Sequence, residues 1–232
     1  MAKFGTPLLA LLILLAAPLR AQEPPVLVEL FTSQGCSSCP PADAFLHELA
    51  KRKDVVALAL HVDYWDYIGW KDIFARPQNT ARQRGYAAAD GRRMVYTPQM
   101  IIDGSDEVMG THPGDVAALI ERHRAAGDRV ALDVERVGND LRIAARAQDG
   151  MTGSCEVQLI RYRPRATVEI TRGENAGRTL SYTNIVTDMT VLAHWDMTAP
   201  ISIEVPLPGD LPAAVVIQHG QHGPVEAVAR VE

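Results

Sequence analysis

Cys36-Ser37-Ser38-Cys39 is the segment whose residue types and spacing carry the most chemistry. Two thiols three positions apart can close a small disulfide ring, exchange it with other thiols, or hold a soft ion such as copper(I). Stabilisation alone explains the spacing poorly. Loop entropy assigns a four-residue ring about 2 kcal/mol, against nearly 5 kcal/mol for a ring closed between Cys39 and Cys155. Redox exchange or metal binding accounts for the pair better. Cys155, the remaining cysteine, alternates with Val157 and Leu159 and reads as a small buried hydrophobe, a redox relay between domains being the alternative.

The elements around the pair follow from hydrophobic pattern. Val26 to Phe31 is a continuous apolar run interrupted only by Glu29, as in a strand buried on both faces. Thr32 to Gly35 is a turn that delivers Cys36. Pro40-Pro41 fits only the first turn of a helix, whose apolar face is Ala42, Phe45, Leu46, Leu49 and Ala50. Val55 to Val62 is a second buried strand. Strand, cysteine pair, helix, strand makes a βαβ unit with the cysteines at a helix N-terminus. There the positive dipole end and free N–H groups favour a thiolate. Cys36, the outer thiol, is then the nucleophile, and Cys39 the resolving thiol that releases a mixed disulfide. This account requires the Cys36 sulfur to be reachable from solvent and to stand at a helix start; sealed or remote, it would leave only a scaffold.

Asp63 to Phe74 is an aromatic-rich loop or short helix, able to form a hydrophobic rim for substrates or to pack across a domain interface. Gln78 to Ala89 and Asp115 to Ala126 are helical, and Thr97 to Gly104 is a strand with Glu107 to Met109 as its hairpin partner. Beyond residue 127 the pattern becomes alternating. Val130, Leu132 and Val134 turn at Gly138-Asn139-Asp140 into Leu141, Ile143 and Ala145, and further short runs follow at 155–162, 167–171, 179–187, 201–207, 213–218 and 225–231. This is the texture of a β-sandwich. The fold class expected is α/β plus β, with an N-terminal domain over 22–127 and a C-terminal sandwich over 128–232.

Residues 1–21 read as a cleaved secretory leader: a basic start at Lys3, an apolar core from Pro7 to Ala17 too short to span a bilayer, and Leu19-Arg20-Ala21 before Gln22. The protein is therefore expected to be exported, periplasmic or secreted, where disulfides are permitted. The chain carries 23 basic and 28 acidic residues; without Lys3 and Arg20 the balance is 21 against 28, net −7. An acidic excess argues against nucleic acid as a main partner. No later segment is apolar enough to span a membrane.

Val28-Glu29-Leu30-Phe31 ahead of the cysteines, Cys36-Ser-Ser-Cys39 on a helix, and Thr97-Pro98 before an apolar strand together resemble the thioredoxin superfamily. The resemblance implies a cis Pro98 against the cysteine pair and a Thr97 backbone edge for an extended substrate. It also implies Glu29 as a buried proton acceptor under the resolving cysteine, although Glu29 stands one residue further from Cys36 than in that pattern; a structural hydrogen-bonding role is the alternative. Glu29 to Asp43, His61-Val-Asp-Tyr-Trp-Asp66, Tyr96-Thr-Pro-Gln99 and Gly173-Glu-Asn-Ala-Gly-Arg178 resemble, across nearly the whole mature chain, exported thioredoxin-like proteins grouped as domain of unknown function 1223. That family implies a fold and a location and no reaction.

Three functions follow. The first is a thiol–disulfide oxidoreductase using the Cys36–Cys39 disulfide on protein or small-molecule disulfides, with no cofactor, no metal and an unidentified redox partner. The second is a copper(I)-binding module assisted by Met100, Met109 or His112. The third is a non-catalytic partner-binding scaffold with the cysteines locked. His219 and His222 are a weak metal signal; His61 and His194 read as interior or interface histidines, and Gly173–Arg178 as a turn or as a loop reaching the cysteines.

Overall fold

The computed structural model describes residues 24–231, so the expected leader over 1–21 lies outside the described residues. Strands β1 (Val26–Thr32) and β2 (Val55–His61) are buried at every position and pair in parallel, from Val26 opposite Val55 to Thr32 opposite His61. Their apolar runs are continuous because both faces are covered. On one face α1 (Pro40–Leu49) and α3 (Pro113–Ala126) set Ala42, Leu46, Val116 and Ile120 against Val28, Leu30, Ala57 and Ala59. On the other, Leu27, Phe31, Leu58 and Leu60 meet Tyr86 of α2 (Pro77–Ala89). Strand β3 (Gln99–Ile102) runs antiparallel to β1, and β4 (Asp106–Met109) returns as its hairpin partner.

Among the described residues seven strands follow residue 127, four of which complete the same sheet. They are β5 (Val130–Val137), β6 (Asp140–Ala147), β7 (Cys155–Ile170), β8 (Arg178–Trp195), β9 (Ile201–Pro206), β10 (Ala213–His219) and β11 (Val225–Val231). The larger sheet has eight strands in the order β11-β10-β7-β8-β2-β1-β3-β4, and β5-β6-β9 form a second sheet. The smaller sheet covers one face of the β7 and β10 end, where Leu141 and Ile143 pack with Cys155, Val157, Val215 and Ile217. β8 meets β2 through a single parallel register pair, Ile185 with Ala59. The runs expected separately at 155–162 and 167–171 are one 16-residue strand. Its ladder passes over Pro164 from Arg163–Ile185 to Arg165–Thr183, and Asn184 opposite takes φ 49°. A proline that lacks only one ladder hydrogen bond is tolerated there. Among the described residues no helix is long and apolar enough to cross a membrane.

Strand alternation corrects one expectation. Glu29 points with Leu27 and Phe31 to the face opposite α1, so it does not lie under the cysteine pair. Both its oxygens are taken: Arg82 donates from Nε at 2.7 Å and Nη2 at 3.0 Å, and the Tyr86 hydroxyl donates at 2.6 Å. Arg82 also donates to Gln218 Oε1 at 3.0 Å, and Gln218 donates to Tyr86 at 2.9 Å. This network ties β1, α2 and β10 together in the interior. These partners support the structural hydrogen-bonding alternative for Glu29. Removing one member of a buried pair strands the other charge, so Arg82→Met should cost about 3–5 kcal/mol by urea denaturation. Adding Glu29→Gln should recover part of it; an Arg82→Met loss below about 1 kcal/mol would contradict this assignment.

Candidate functional site

The site lies at the C-terminal ends of β1 and β2, the usual position of sites on parallel strands. After Thr32 the chain turns through Ser33-Gln34-Gly35, with the Cys36 N–H donating to Ser33 O at 3.1 Å and the Gly35 N–H to Ser33 Oγ at 3.1 Å. Cys39 is the N-cap of α1, and Cys36 and Cys39 form a disulfide with Cα atoms 5.4 Å apart. Ser38 Oγ donates towards Cys36 Sγ at 3.4 Å.

The expected exposed thiolate is not what this arrangement presents. Cys36 is 1% exposed and Cys39 0%. Cys36 precedes the helix by four positions, so Cys39 alone occupies the helix start. The amides expected to converge on Cys36 are also spoken for. Pro40 and Pro41 have no N–H, and those of Ala42 and Asp43 donate to Cys39 O at 2.9 and 3.1 Å.

Two segments cover the pair. Asn175 donates from Nδ2 to both Gln34 O and Cys36 O at 2.9 Å, and Arg178 donates to Asn175 Oδ1 at 2.8 Å. The Gly173–Arg178 stretch is thus a loop that reaches the cysteines, carried in by the turn between β7 and β8. From the other side Trp70 Nε1 donates to Gln34 Oε1 at 2.8 Å. Trp65 packs so closely on Gly35 that a Cβ there would meet Trp65 Cβ at 3.2 Å. The two covers touch, because a Cβ on Gly173 would meet Trp70 Cβ, also at 3.2 Å. The aromatic segment therefore packs on the site, and of its aromatic side chains only Tyr67 is exposed.

The Thr97–Pro98 bond is cis. Pro98 is buried beside Ala42 of α1 and Gly110. Thr97 is half-buried, and its hydroxyl accepts from Trp65 Nε1 at 2.8 Å. The edge assigned to substrate is therefore partly covered by Trp65.

Beneath the covers lies a group of polar side chains that sequence reasoning missed. Asp72 Oδ2 accepts from the Gln34 N–H at 2.8 Å and from His61 Nδ1 at 2.7 Å, while Oδ1 accepts from the Phe74 N–H at 2.8 Å. Burial opposes the charge on Asp72, but His61 and these N–H donors outweigh it and hold the carboxyl below its ordinary range. The bond to a carboxylate assigns the His61 proton to Nδ1 and leaves Nε2 buried without a partner. The His61 ring stands edge-on to Tyr182 of β8, centroids 4.8 Å apart. Asp43 follows Cys39 by one helical turn, on the same side of α1. Burial pushes its carboxyl up from 3.8 to about 7, with His61 and the nearby Thr32 hydroxyl pulling it partly back. Thr32 Oγ1, Gln34 Nε2, Asp43 Oδ2, His61 Nε2 and Tyr182 Oη are all buried without a hydrogen-bond partner. The one signal in the sequence was a polar residue ending an otherwise apolar run, as His61 does.

Cys155 lies elsewhere, buried in the core between the two sheets, its Sγ 3.7 Å from Met197 Sδ. Burial pushes its thiol up to about 11. His194, read as an interior or interface histidine, is exposed. Among the described residues no three His, Cys, Asp or Glu side chains are grouped to hold a metal ion.

A family model described as "Protein of unknown function (DUF1223)" matches residues 27–218. The crystal structure of protein AGR_C_4864 from Agrobacterium tumefaciens is similar at 32% identity and a TM-score of 0.78, over 90% of this chain and 95% of that one. HBP35 of Porphyromonas gingivalis is similar at 11% identity and a TM-score of 0.66, over 90% of this chain and 74% of that one, a likeness of fold alone. Comparison with curated proteins gives no match.

Asp43 makes stability depend on pH. It keeps its proton to about pH 7 in the fold but releases it near 3.8 when unfolded. Its contribution is therefore complete below about pH 4 and declines as pH rises to about 7, by about 4 kcal/mol at most. Urea denaturation at pH 5 and pH 8 should show Asp43→Asn losing less stability over that interval than wild type. Equal losses in the two proteins would contradict the assignment.

Proposed function

Because the chain belongs to the DUF1223 family of proteins of unknown function, we propose its function from the site itself: an exported, thioredoxin-like thiol–disulfide redox protein whose Cys36–Cys39 pair works behind a closing loop. In the closed arrangement the disulfide is out of reach, so exchange requires the 173–178 loop to lift. A substrate thiolate then attacks one sulfur, a mixed disulfide forms, and the other cysteine leaves as a thiolate; a second substrate thiol releases the reduced pair and carries away the new disulfide. The leader-like residues 1–21 support export to a compartment where such exchange operates.

The observation that carries the reading is the disulfide's position over unpartnered polar groups. A four-residue ring contributes about 2 kcal/mol. Five buried polar atoms without partners each cost about 1–3 kcal/mol. A cross-link kept only for stability has no need of such surroundings, whereas a pair that gains and loses protons does. Both cysteines are sealed and Cys36 stands ahead of the helix start, the condition under which a helix-activated Cys36 thiolate fails. The exchange proposed here therefore rests on loop opening alone, and the closed arrangement favours the second reading, a locked scaffold whose surface binds a partner. Copper(I) is disfavoured while both thiols are joined in a disulfide.

Replacing Asn175 by Ala removes the two hydrogen bonds that hold the cover to Gln34 and Cys36, worth roughly 1–3 kcal/mol together, or about ten- to hundredfold in the open population. Reduction by excess dithiothreitol, followed by mass after alkylation, should accelerate correspondingly in Asn175→Ala. Cys39→Ala should accumulate mixed disulfides at Cys36 in an extract. A pair that stays oxidised in strong reductant in both wild type and Asn175→Ala would establish the locked scaffold instead.

A further inference from the structure

Disulfide exchange at this pair must move protons, since each thiolate leaving inside the protein has to be neutralised, and Glu29 is on the wrong face to help. Resting on the redox reading above, we propose that Asp43 is the proton-transfer residue of the pair and connects it to the open cleft between α1 and the β7–β8 ribbon. Three observations converge on it. It stands one turn after Cys39, its N–H donating to Cys39 O at 3.1 Å, so the two side chains share one side of the helix. Its Oδ2 is buried and unpartnered, as are Thr32 Oγ1, His61 Nε2 and Tyr182 Oη, whose side chains lie close enough to act on its charge or to feel it. Finally, Asp43 is the only one of these with more than 2% exposure, at 5%, and it lines a cleft of about 560 Å³ outside. Asp43 therefore stands between the buried polar group and the cleft.

The step balances without a cofactor. An incoming dithiol, as thiolate, attacks Cys36 Sγ; the S–S bond breaks and its electron pair leaves on Cys39 Sγ. Asp43 gives its proton to that thiolate and recovers one from solvent through the cleft. The second thiol of the dithiol then displaces Cys36, so that the dithiol is oxidised to its disulfide and the protein pair is reduced. In reverse, the Asp43 carboxylate takes the proton from Cys39 as its thiolate attacks a mixed disulfide. His61, held by Asp72, and the Tyr182 hydroxyl face Asp43 from within. His47 and Glu48 of α1, Arg165 of β7 and Arg178 of β8 face the cleft side. The cationic side chains favour the carboxylate there, and Glu48 and Asp72 favour the acid.

The test is the pH profile of reduction by dithiothreitol, corrected for the reductant's own thiolate fraction, in full-length protein carrying Asn175→Ala so that loop opening does not mask the proton step. An inflection near the Asp43 value of about 7 is expected. Adding Asp43→Asn should abolish it and slow the reaction about 10²-fold. An unchanged profile in Asp43→Asn would overturn the proposal while leaving the redox reading intact, as would a profile without Asp43→Asn that shows no inflection beyond the reductant's own. A pair that never reduces at any pH defeats the redox reading itself, and this proposal with it.

Discussion

The carboxylate of Asp72 is the interaction on which the site depends. Its two oxygens receive the Gln34 N–H, the Phe74 N–H and the His61 ring, and so join the turn before the cysteines, the aromatic segment and the end of β2. Its own N–H donates to Asp66 Oδ1 at 3.0 Å, which closes the 66–72 segment on itself. A charge held this far inside is tolerable only with several donors around it. Once it is in place, the rest follows: Gln34 is fixed where Trp70 and Asn175 can reach it, and the second nitrogen of His61 is left buried without a partner.

The C-terminal half completes this arrangement from a distance. The β7–β8 ribbon extends beyond its single register pair with β2, so Tyr182 reaches the His61 ring and Asn175 reaches the Cys36 carbonyl across a sequence separation of 139 residues. The Arg82–Glu29 pair with Gln218 holds β10 to β1 and keeps the ribbon in register with the site. The Asn175 cover and the cysteines thus come from opposite halves of the chain. That gives the C-terminal strands a part in access to the disulfide beyond packing.

Local pattern made β1, α1 and β2 legible in the sequence, because uninterrupted apolar runs and a proline pair have few other uses. The hairpin at Gly138 and the buried environment of Cys155 were legible for the same reason. What escaped was set by tertiary contact. Pro164 reads as a strand break in one dimension, yet a two-stranded ribbon carries a proline without ending. Glu29 resembled an acid beneath the cysteines, and only the alternation of β1 against α1 shows that it points to the other face. The exposed Cys36 failed because exposure depends on what folds over a residue, and Asn175 and Trp70 are remote in sequence. Asp43 lay inside the recognised cysteine segment, but its partners His61, Asp72 and Tyr182 come from three other places in the chain.

The central claim is that a sealed disulfide is kept for exchange and is not a cross-link. The reduction potential of the Cys36–Cys39 pair, equilibrated at pH 7 in graded thiol–disulfide buffers, tests it most directly. The account predicts a value among exchanging pairs, between about −120 and −270 mV. A value below about −300 mV, where structural disulfides lie, would contradict it.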